Sequence, residues 1–492
     1  MSMSPEPQER RALGQKRRKQ IRRLEHGGWD GKKRKESPLK LMEASMRERV
    51  PSLVALKYER MAASPFGYFR GAVPVMAYDL SLVGNTGIVC QLCGDAHVRN
   101  LGAYAAQDGR LVFDINDFDE TIAGPFEWDV KRMAASLVLA GREAGSKNVH
   151  CRDAAMVFAE RYRMSMLEFA QLPVIEMARY QVHRLRDIAT LEGILRLAER
   201  AIPMHTLMSL TEVRGQENAA VAGKKKQAAK ELKTVTKNSA AEKESAKAAA
   251  KTTTQDRVFK TSPPVLTRLT GAMADKVLAA LKSYEVNLQP ERRRLLAQYR
   301  PVDVSFKVVG TGSVGLRDYC VYLQGNGAND PLFLQIKQEV SSAYAPYVGK
   351  LHGAWKESSH QGRRVVEGER AMQVQSDPFL GWTTLDGRDY LVRQLNDHKA
   401  SIQVEDLRAT SLMEYAEVCG ELLARGHARS GDCQQLAGYL GKAPRFDEGV
   451  VRFGEVYADQ TEADWKQLVG WLKRSNKRAG KRSGKAVPAG KK

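Results

Sequence analysis

Hydrophobic and polar positions repeat along this chain with two periods, and each change of period marks a change of structure. Apolar residues recur at helical spacing through Asp129–Gly141, through Ala154–Arg200 and through Leu412–His427, so amphipathic helices are expected there. Short apolar runs bounded by turn residues, Ile88–Leu92, Leu111–Phe113, Tyr319–Leu323 and Leu332–Lys337, predict strands. Phe379–Thr384 and Asp389–Gln394 predict a hairpin turned by Asp386-Gly387, and Arg363–Gln373 predicts a helix before it. Between Gly215 and Thr261 large apolar residues almost vanish while Lys and Ala dominate. Such a segment has helix propensity but no face to bury, which predicts an exposed helical or disordered linker closed by Pro263-Pro264.

These changes divide the chain into seven parts. A basic flexible tail (1–40) precedes a first globular part (41–215) and the Lys/Ala-rich linker or insert (216–262). A helical connection (263–300), a small strand-rich lobe (301–400), helices completing the large lobe (401–472) and a basic disordered tail (473–492) follow. A chain of 492 residues, 43% of them hydrophobic, exceeds what one ordinary core uses, so two lobes are expected. The formal charge of +21 points to nucleic acid until it is located. Residues 1–40, 223–260 and 465–492 together carry +25, which leaves the body near −4 and assigns the charge to the appendages. No run approaches the roughly 20 apolar residues of a spanning helix. The N-terminus also lacks the apolar core of a secretory signal, so a cytoplasmic protein without membrane contact is expected. Six scattered cysteines make no disulfide framework. Cys90-x-x-Cys93 has suggestive spacing but no second pair, and buried strand cysteines are the simpler reading.

Candidate chemistry concentrates in Cys93-Gly-Asp-Ala-His-Val-Arg-Asn100 and Leu111-Val-Phe-Asp-Ile-Asn-Asp-Phe-Asp119. The first expected strand leads into a loop holding Asp95, His97 and Asn100, and the second delivers Asp114 and Asp117 at its end. Hard oxygen donors gathered this way suit Mg²⁺ and phosphate, with one carboxylate left to accept a proton from an attacking hydroxyl. Far downstream, Gly310-x-Gly312-x-x-Gly315 lets backbone N–H groups approach phosphate oxygens. The same spacing marks dinucleotide sites, but those require a helix next, and Tyr319–Leu323 reads as a strand. Lys337 closes the following apolar strand, where a solvated side chain is hard to accommodate.

Gly94-Asp95-x-His97-x-x-Asn100 resembles the catalytic loop of aminoglycoside phosphotransferases and related small-molecule kinases, which are similar in fold to protein kinases. The resemblance implies Asp95 as catalytic base, Asn100 as a metal ligand, and Asp114 as the metal-binding Asp of the next strand with Asp117 as a second. It also implies that Asp129, in Gly124-Pro-Phe-Glu-Trp-Asp129, buttresses the catalytic loop. Gly310, Gly312 and Gly315 would then cover the nucleotide phosphates, Lys337 would position them, and Glu367 or Glu369 would hold the lysine. Kinases carry the glycine loop and lysine ahead of the catalytic loop, whereas this chain carries them after it. The implied fold is α+β and bilobal, protein-kinase-like and circularly permuted, with a small antiparallel-sheet lobe and a mainly helical lobe. Over residues 41–460 the chain also resembles the bacterial family called domain of unknown function 2252. That resemblance runs through Ser64-Pro-Phe-Gly-Tyr-Phe-Arg-Gly71, the two acidic segments, Glu127-Trp-Asp-Val-Lys-Arg132, Val309–Gly315 and Gly426-His-Ala-Arg-Ser-Gly431, and implies no reaction.

The expected function is ATP- and Mg²⁺-dependent transfer of a phosphoryl group to an unidentified hydroxyl acceptor, with Asp95, Lys337 and His97 as the catalytic set. His97 is read as orienting the loop through a hydrogen bond. Arg70 is read either as a phosphate or substrate contact or as a structural partner of Glu59 or Asp79. Asp119 and Glu120 are read as solvated or as contacts of Arg132. Two alternatives stand beside this reading. One is AMP transfer on the same fold with the nucleotide turned around. The other is a nucleotide-binding pseudoenzyme whose basic tails make nonspecific nucleic-acid contacts.

Overall fold

A computed structural model describes residues 5–483 apart from 107, 182–188, 215–255, 350–357 and 396–398. Five helices open the chain: α1 (Pro7–Arg17), α2 (Pro38–Ser45), α3 (Pro51–Ala62), α4 (Pro65–Gly71) and α5 (Val73–Ser81). Each has a proline in its first turn, where a preset φ and a missing N–H cost nothing. Strands β1 (Val89–Leu92), β2 (Leu101–Ala105), β3 (Leu111–Ile115) and β4 (Ile122–Pro125) lead into α6 (Glu127–Glu143) and α7 (Asn148–Phe169). The expected helical stretch over Ala154–Arg200 is therefore broken, because Pro173 ends the first helix and α8 (Val174–Arg179) and α9 (Ala189–Arg200) follow separately.

The chain continues through α10 (Pro203–Leu210), β5 (Thr211–Val213), β6 (Arg257–Phe259), β7 (Leu266–Leu269), α11 (Ala272–Val286) and α12 (Pro290–Leu296). Most of the Lys/Ala-rich segment lies outside the described residues, so the linker expectation there is not addressed; its end forms β6. Strands β8 (Arg300–Lys307), β9 (Asp318–Gln324) and β10 (Pro331–Gln338) precede α13 (Gln361–Met372). Then come β11 (Gly381–Leu385), β12 (Arg388–Gln394), β13 (Ala400–Ser401), α14 (Thr410–Ser430), α15 (Cys433–Leu440) and α16 (Arg445–Ser483). The protein is thus mixed α+β with antiparallel sheets.

The largest sheet has six strands in the order β11-β12-β10-β9-β8-β7, all antiparallel. Alternation along β10 decides what the sheet does on each face. Leu332, Leu334 and Ile336 pack with Val277, Leu281 and Tyr284 of α11 into one core. The intervening Gln335 and Lys337 point the other way, toward the helical body, although Lys337 is only 3% exposed. The β11–β12 hairpin turns through Asp386 (φ 49°) and Gly387 (φ 70°), as the dipeptide predicts. A second, larger core gathers α5, α6, α7, α14 and part of α16 around the first four strands. Within it β1 pairs with β4, and β3 pairs with β2. The two strands expected to lie together thus belong to different sheets.

Residues 5–40 are not a loose tail. Arg18 donates to the carbonyls of Tyr439 (2.8 Å) and Gly438 (2.5 Å), and Arg23 donates to that of Leu440 (2.5 Å). These are the free carbonyls at the end of α15, where cations are favoured. Arg34 forms a buried pair with Asp79 and Asp464, so Asp79 is not the partner of Arg70. Helices α1 and α15 cross so closely that a Cβ on Gly438 would lie 2.1 Å from the Arg11 carbonyl. Gly438→Ala is expected to cost about 1–3 kcal/mol by forcing that crossing apart. Thermal unfolding should shift down and limited proteolysis should gain cuts before residue 22; an unchanged digestion pattern would show that the crossing has slack. At the other end α16 continues through Ser483, beyond the boundary expected at 472, and residues 484–492 lie outside the described ones. Among the described residues, no helix is long and apolar enough to cross a membrane.

Candidate active site

The Gly94–Asn100 loop owes its path to glycine. Gly94 has φ +81°, and a Cβ there would lie 2.1 Å from the Glu120 carbonyl, so no larger residue fits. Asp129, in the first turn of α6, accepts the N–H groups of Cys93 (2.8 Å) and Gly94 (3.0 Å). His427 of α14 stands 3.4 Å from the same carboxylate and is itself held by the Tyr162 hydroxyl at 2.8 Å. Asp95 is anchored through one oxygen, Oδ1, which accepts Nε (2.7 Å) and Nη2 (2.5 Å) of the fully buried Arg132. That guanidinium lies 4.2 Å from the centre of the Phe69 ring and donates to the Phe69 carbonyl. Burial raises the Asp95 pKa, and Arg132 opposes the shift. The second oxygen, Oδ2, lies 3.6 Å from His97 Nε2. His97 Nδ1 accepts the Arg99 N–H at 3.2 Å. Burial, then Arg70 and Arg132, holds the imidazole well below its ordinary pKa, so it is neutral at pH 7.

Asn100 donates through Nδ2 to the Asp95 carbonyl at 2.6 Å, which leaves its Oδ1 as an acceptor at the cleft. Its own carbonyl receives the Asn116 N–H at 2.9 Å, and this bond sets Asp117 beside it. From the opposite sheet Lys337 reaches both oxygens of Asp119 at 2.6 and 2.5 Å and lies 3.6 Å from Asp117. Ser313, from the glycine loop, donates to Asp119 at 2.8 Å. One carboxylate therefore ties together the acidic loop, the lysine strand and the glycine loop. Burial works against both charges of the pair, yet Lys337 is raised by Asp117 and Asp119, and Asp119 is held well below the usual carboxylate range by Lys337. Asp117, partly buried beside Asp119, is pushed up to about 6 by desolvation and by the Asp119 charge.

Several sequence-predicted assignments change. Asp114 is inside β3 and does not line the cleft; it pairs with buried Arg425 of α14 and accepts the Ile115 N–H at 2.7 Å. The strand runs two residues further than expected, which leaves Asp114 inside the body and Asp117 at the cleft. Glu367 is half-exposed and pairs with Arg363 at 2.7 Å rather than with Lys337. Glu369 is buried, but the strongest charge acting on it is that of Arg393, and burial pushes its carboxyl up to about 7. Asp119, weighed as solvated, is the partner of Lys337 instead. Arg70 meets neither Glu59 nor Asp79; its Nε lies 3.4 Å from His97 Nε2. Cys90 and Cys93 are buried free thiols, and burial raises both pKa values.

The glycine loop joins β8 to β9 and so belongs to a hairpin, not to a strand–helix unit. Its carbonyls are gripped from outside. Lys57 donates to Thr311 (3.2 Å) and Gly312 (2.6 Å), Arg60 to Val309 (2.6 Å), and Arg49 to Val314. Among the described residues the N–H groups of Val309, Gly310, Thr311 and Gly312 find no acceptor. Gly315, at φ +93°, closes the loop against Arg49. The sequence offered one signal for Lys57: it sits between Leu53 and Met61 at i, i+4 spacing, on the buried face of α3. Arg364 adds a third tie, donating to the carbonyls of Asp119, Thr121 and Val340.

These pieces enclose a cleft of about 760 Å³ that reaches from Asp95, His97 and Asn100 past Asp117 and Asp119 to Gly310, Gly312 and Lys337. No group of three His, Cys, Asp or Glu side chains among the described residues is arranged to hold a metal alone. Mg²⁺ does not demand one, since it keeps waters and takes one or two protein oxygens together with phosphates. Asn100 Oδ1 and the Asp117 carboxylate fit that requirement.

Beside the cleft, Asp318 in β9 is the strand partner of Lys337, and burial pushes its carboxyl up to about 7, with Gln335 its hydrogen-bond donor at 2.5 Å. A raised folded-state pKa means that the native state binds the proton more tightly, so stability falls as pH rises from about 4 to about 7 and is level above that. Asp318→Asn should remove this slope, leaving the two proteins alike near pH 4 and the variant more stable at pH 8 by up to about 4 kcal/mol. Thermal melts across that range decide it; parallel curves would mean that Asp318 stays ionised.

Fold and cleft define a mixed α+β protein whose antiparallel sheet closes over an acidic loop carried by the helical body. The chain belongs to the family DUF2252, described as an uncharacterized protein conserved in bacteria, whose sequence model matches residues 49–222 and 198–470. No curated protein and no solved structure matches it.

Proposed function

We propose that this protein is an ATP- and Mg²⁺-dependent, kinase-like phosphotransferase acting on a hydroxyl acceptor, with its two lobes in circularly permuted order. The observation that carries the reading is the Lys337–Asp119–Ser313 cluster, which joins residues 194 and 218 positions apart in one cleft with Asp95, Asn100 and Asp117. The sheet supports it: a glycine loop on the β8–β9 hairpin, a buried lysine on the next strand and a helix after that are the parts of a kinase small lobe. One departure is that the lysine is neutralised by the acidic loop and not by a glutamate of α13. Nucleotide phosphates must therefore compete with Asp119 for Lys337.

In this reading the free N–H groups of the glycine loop and Lys337 bind the phosphates. Asn100 and Asp117 would hold Mg²⁺, which supplies neutralisation of phosphate charge when bound. Asp95 Oδ2, the oxygen not committed to Arg132, accepts the acceptor's proton. Positioning and charge do the rest.

Calorimetric titration with Mg²⁺·ATP tests this. Lys337→Ala and Asp117→Ala should each weaken binding at least about tenfold, and omission of Mg²⁺ should weaken the parent similarly. A folded parent protein that binds no nucleotide would sink the reading. Product analysis then separates the chemistries, since phosphoryl transfer releases ADP and AMP transfer releases pyrophosphate.

A further inference from the structure

Basic side chains from the N-terminal part of the chain reach the cleft alongside its carboxylates. Arg49, Lys57 and Arg70 all line it, all come from residues 49–70, and among the described residues none forms an ion pair with a carboxylate. Arg49 and Lys57 are committed to carbonyls of the glycine loop, which leaves Arg70 as the cation of the three that no hydrogen bond to the loop engages. Arg70 lies between the loop and the base. Its Nε is 3.4 Å from His97 Nε2, which is 3.6 Å from Asp95 Oδ2, and a Cβ on Gly310 would lie 3.8 Å from its Nη2. Leu41, Ser45, Pro74 and Tyr347 line the same cleft as Arg70 and Asp95.

A guanidinium held in low dielectric without a counter-ion is costly unless a ligand supplies one. Burial and then the neighbouring Arg99 lower the Arg70 pKa to about 10 against the opposing charges of Asp95, Asp117 and Glu143, none of which pairs with it directly. Its planar fork matches a carboxylate or phosphate. We propose that the acceptor is a small hydroxylated molecule bearing an anionic group, which Arg70 binds so that the hydroxyl meets Asp95. This rests on the transfer reading above for the role of Asp95, but the anion site itself does not.

The test uses inorganic phosphate as the probe, titrated into the full chain with and without saturating Mg²⁺ and a non-hydrolysable ATP analogue. The parent should bind phosphate in both states. Arg70→Met should weaken phosphate binding at least tenfold while changing analogue affinity less than threefold, and Arg70→Lys should retain an intermediate affinity. Melting curves identify any variant that fails to fold, in which case Arg70→Gln carries the same comparison. Phosphate binding that is abolished by the analogue, or that is equal in Arg70→Met and parent, overturns the anion site. An equal loss of analogue and phosphate binding assigns Arg70 to the nucleotide and also overturns it. If the analogue fails to bind at all, the transfer reading falls, while the phosphate titration of the bare protein still decides the anion site.

Discussion

Asp114→Ala is expected to cost about 3–5 kcal/mol of folding stability and, on the proposed phosphotransfer reading, to leave Mg²⁺-dependent nucleotide binding intact in the protein that remains folded. The carboxylate is 3% exposed and its partner Arg425 is equally buried, so removing one leaves a guanidinium in the core of the helical body without a counter-charge. Arg425 cannot turn to water, because α14 is buried along most of its length. The pair also links β3 to α14 and so holds the acidic loop at its height above the body. The double change Asp114→Ala/Arg425→Met should recover a good part of the loss, since neither charge then remains. Chemical denaturation of the two single variants and the double variant measures this. Additive losses in the double would show that the two residues act independently, and loss of Mg²⁺ dependence in folded Asp114→Ala would return that residue to the metal site.

Asp95→Asn is expected to lower ATP turnover by a factor of about 10² to 10⁴ and to leave Mg²⁺·ATP affinity within a few-fold. An amide oxygen still accepts from Arg132, so the loop keeps its anchor, and Asn100 bonds the Asp95 main-chain carbonyl rather than its side chain. What disappears is the second carboxylate oxygen, which lies 3.6 Å from His97 Nε2. His97 cannot substitute, since its burial among Arg70, Arg132 and Arg99 suppresses protonation. ADP formation, followed with water or the identified acceptor, is the readout. Turnover equal to the parent's would remove Asp95 from the chemistry, and loss of affinity instead would assign it to nucleotide binding.

Local patterns made much of this legible. Glycine at 94, with its positive φ, and the Asp386-Gly387 turn announce themselves because few other residues tolerate those backbones. The strand carrying Lys337 follows from its apolar run, while the helix at 361–372 and the Asp129 contact to the loop are implied by the resemblance to small-molecule kinases. Asp114 and Asp117 were harder to separate, because which carboxylate faces the cleft depends on where β3 ends, and side chains two or three apart on a strand exit on faces that register alone decides. The basic N-terminal segment read as unattached charge because the carbonyls it caps belong to a helix 420 residues away.

The sequence by itself determined the chemical inventory and its order: an acidic loop that also carries an asparagine, a glycine-rich loop, and a lysine on an apolar strand placed after both acidic motifs. Only the tertiary structure decided who meets whom. Lys337 chose Asp119 over the glutamates of α13 because a buried ammonium is stabilised by the nearest carboxylate in three dimensions, and distance along the chain carries no information about that.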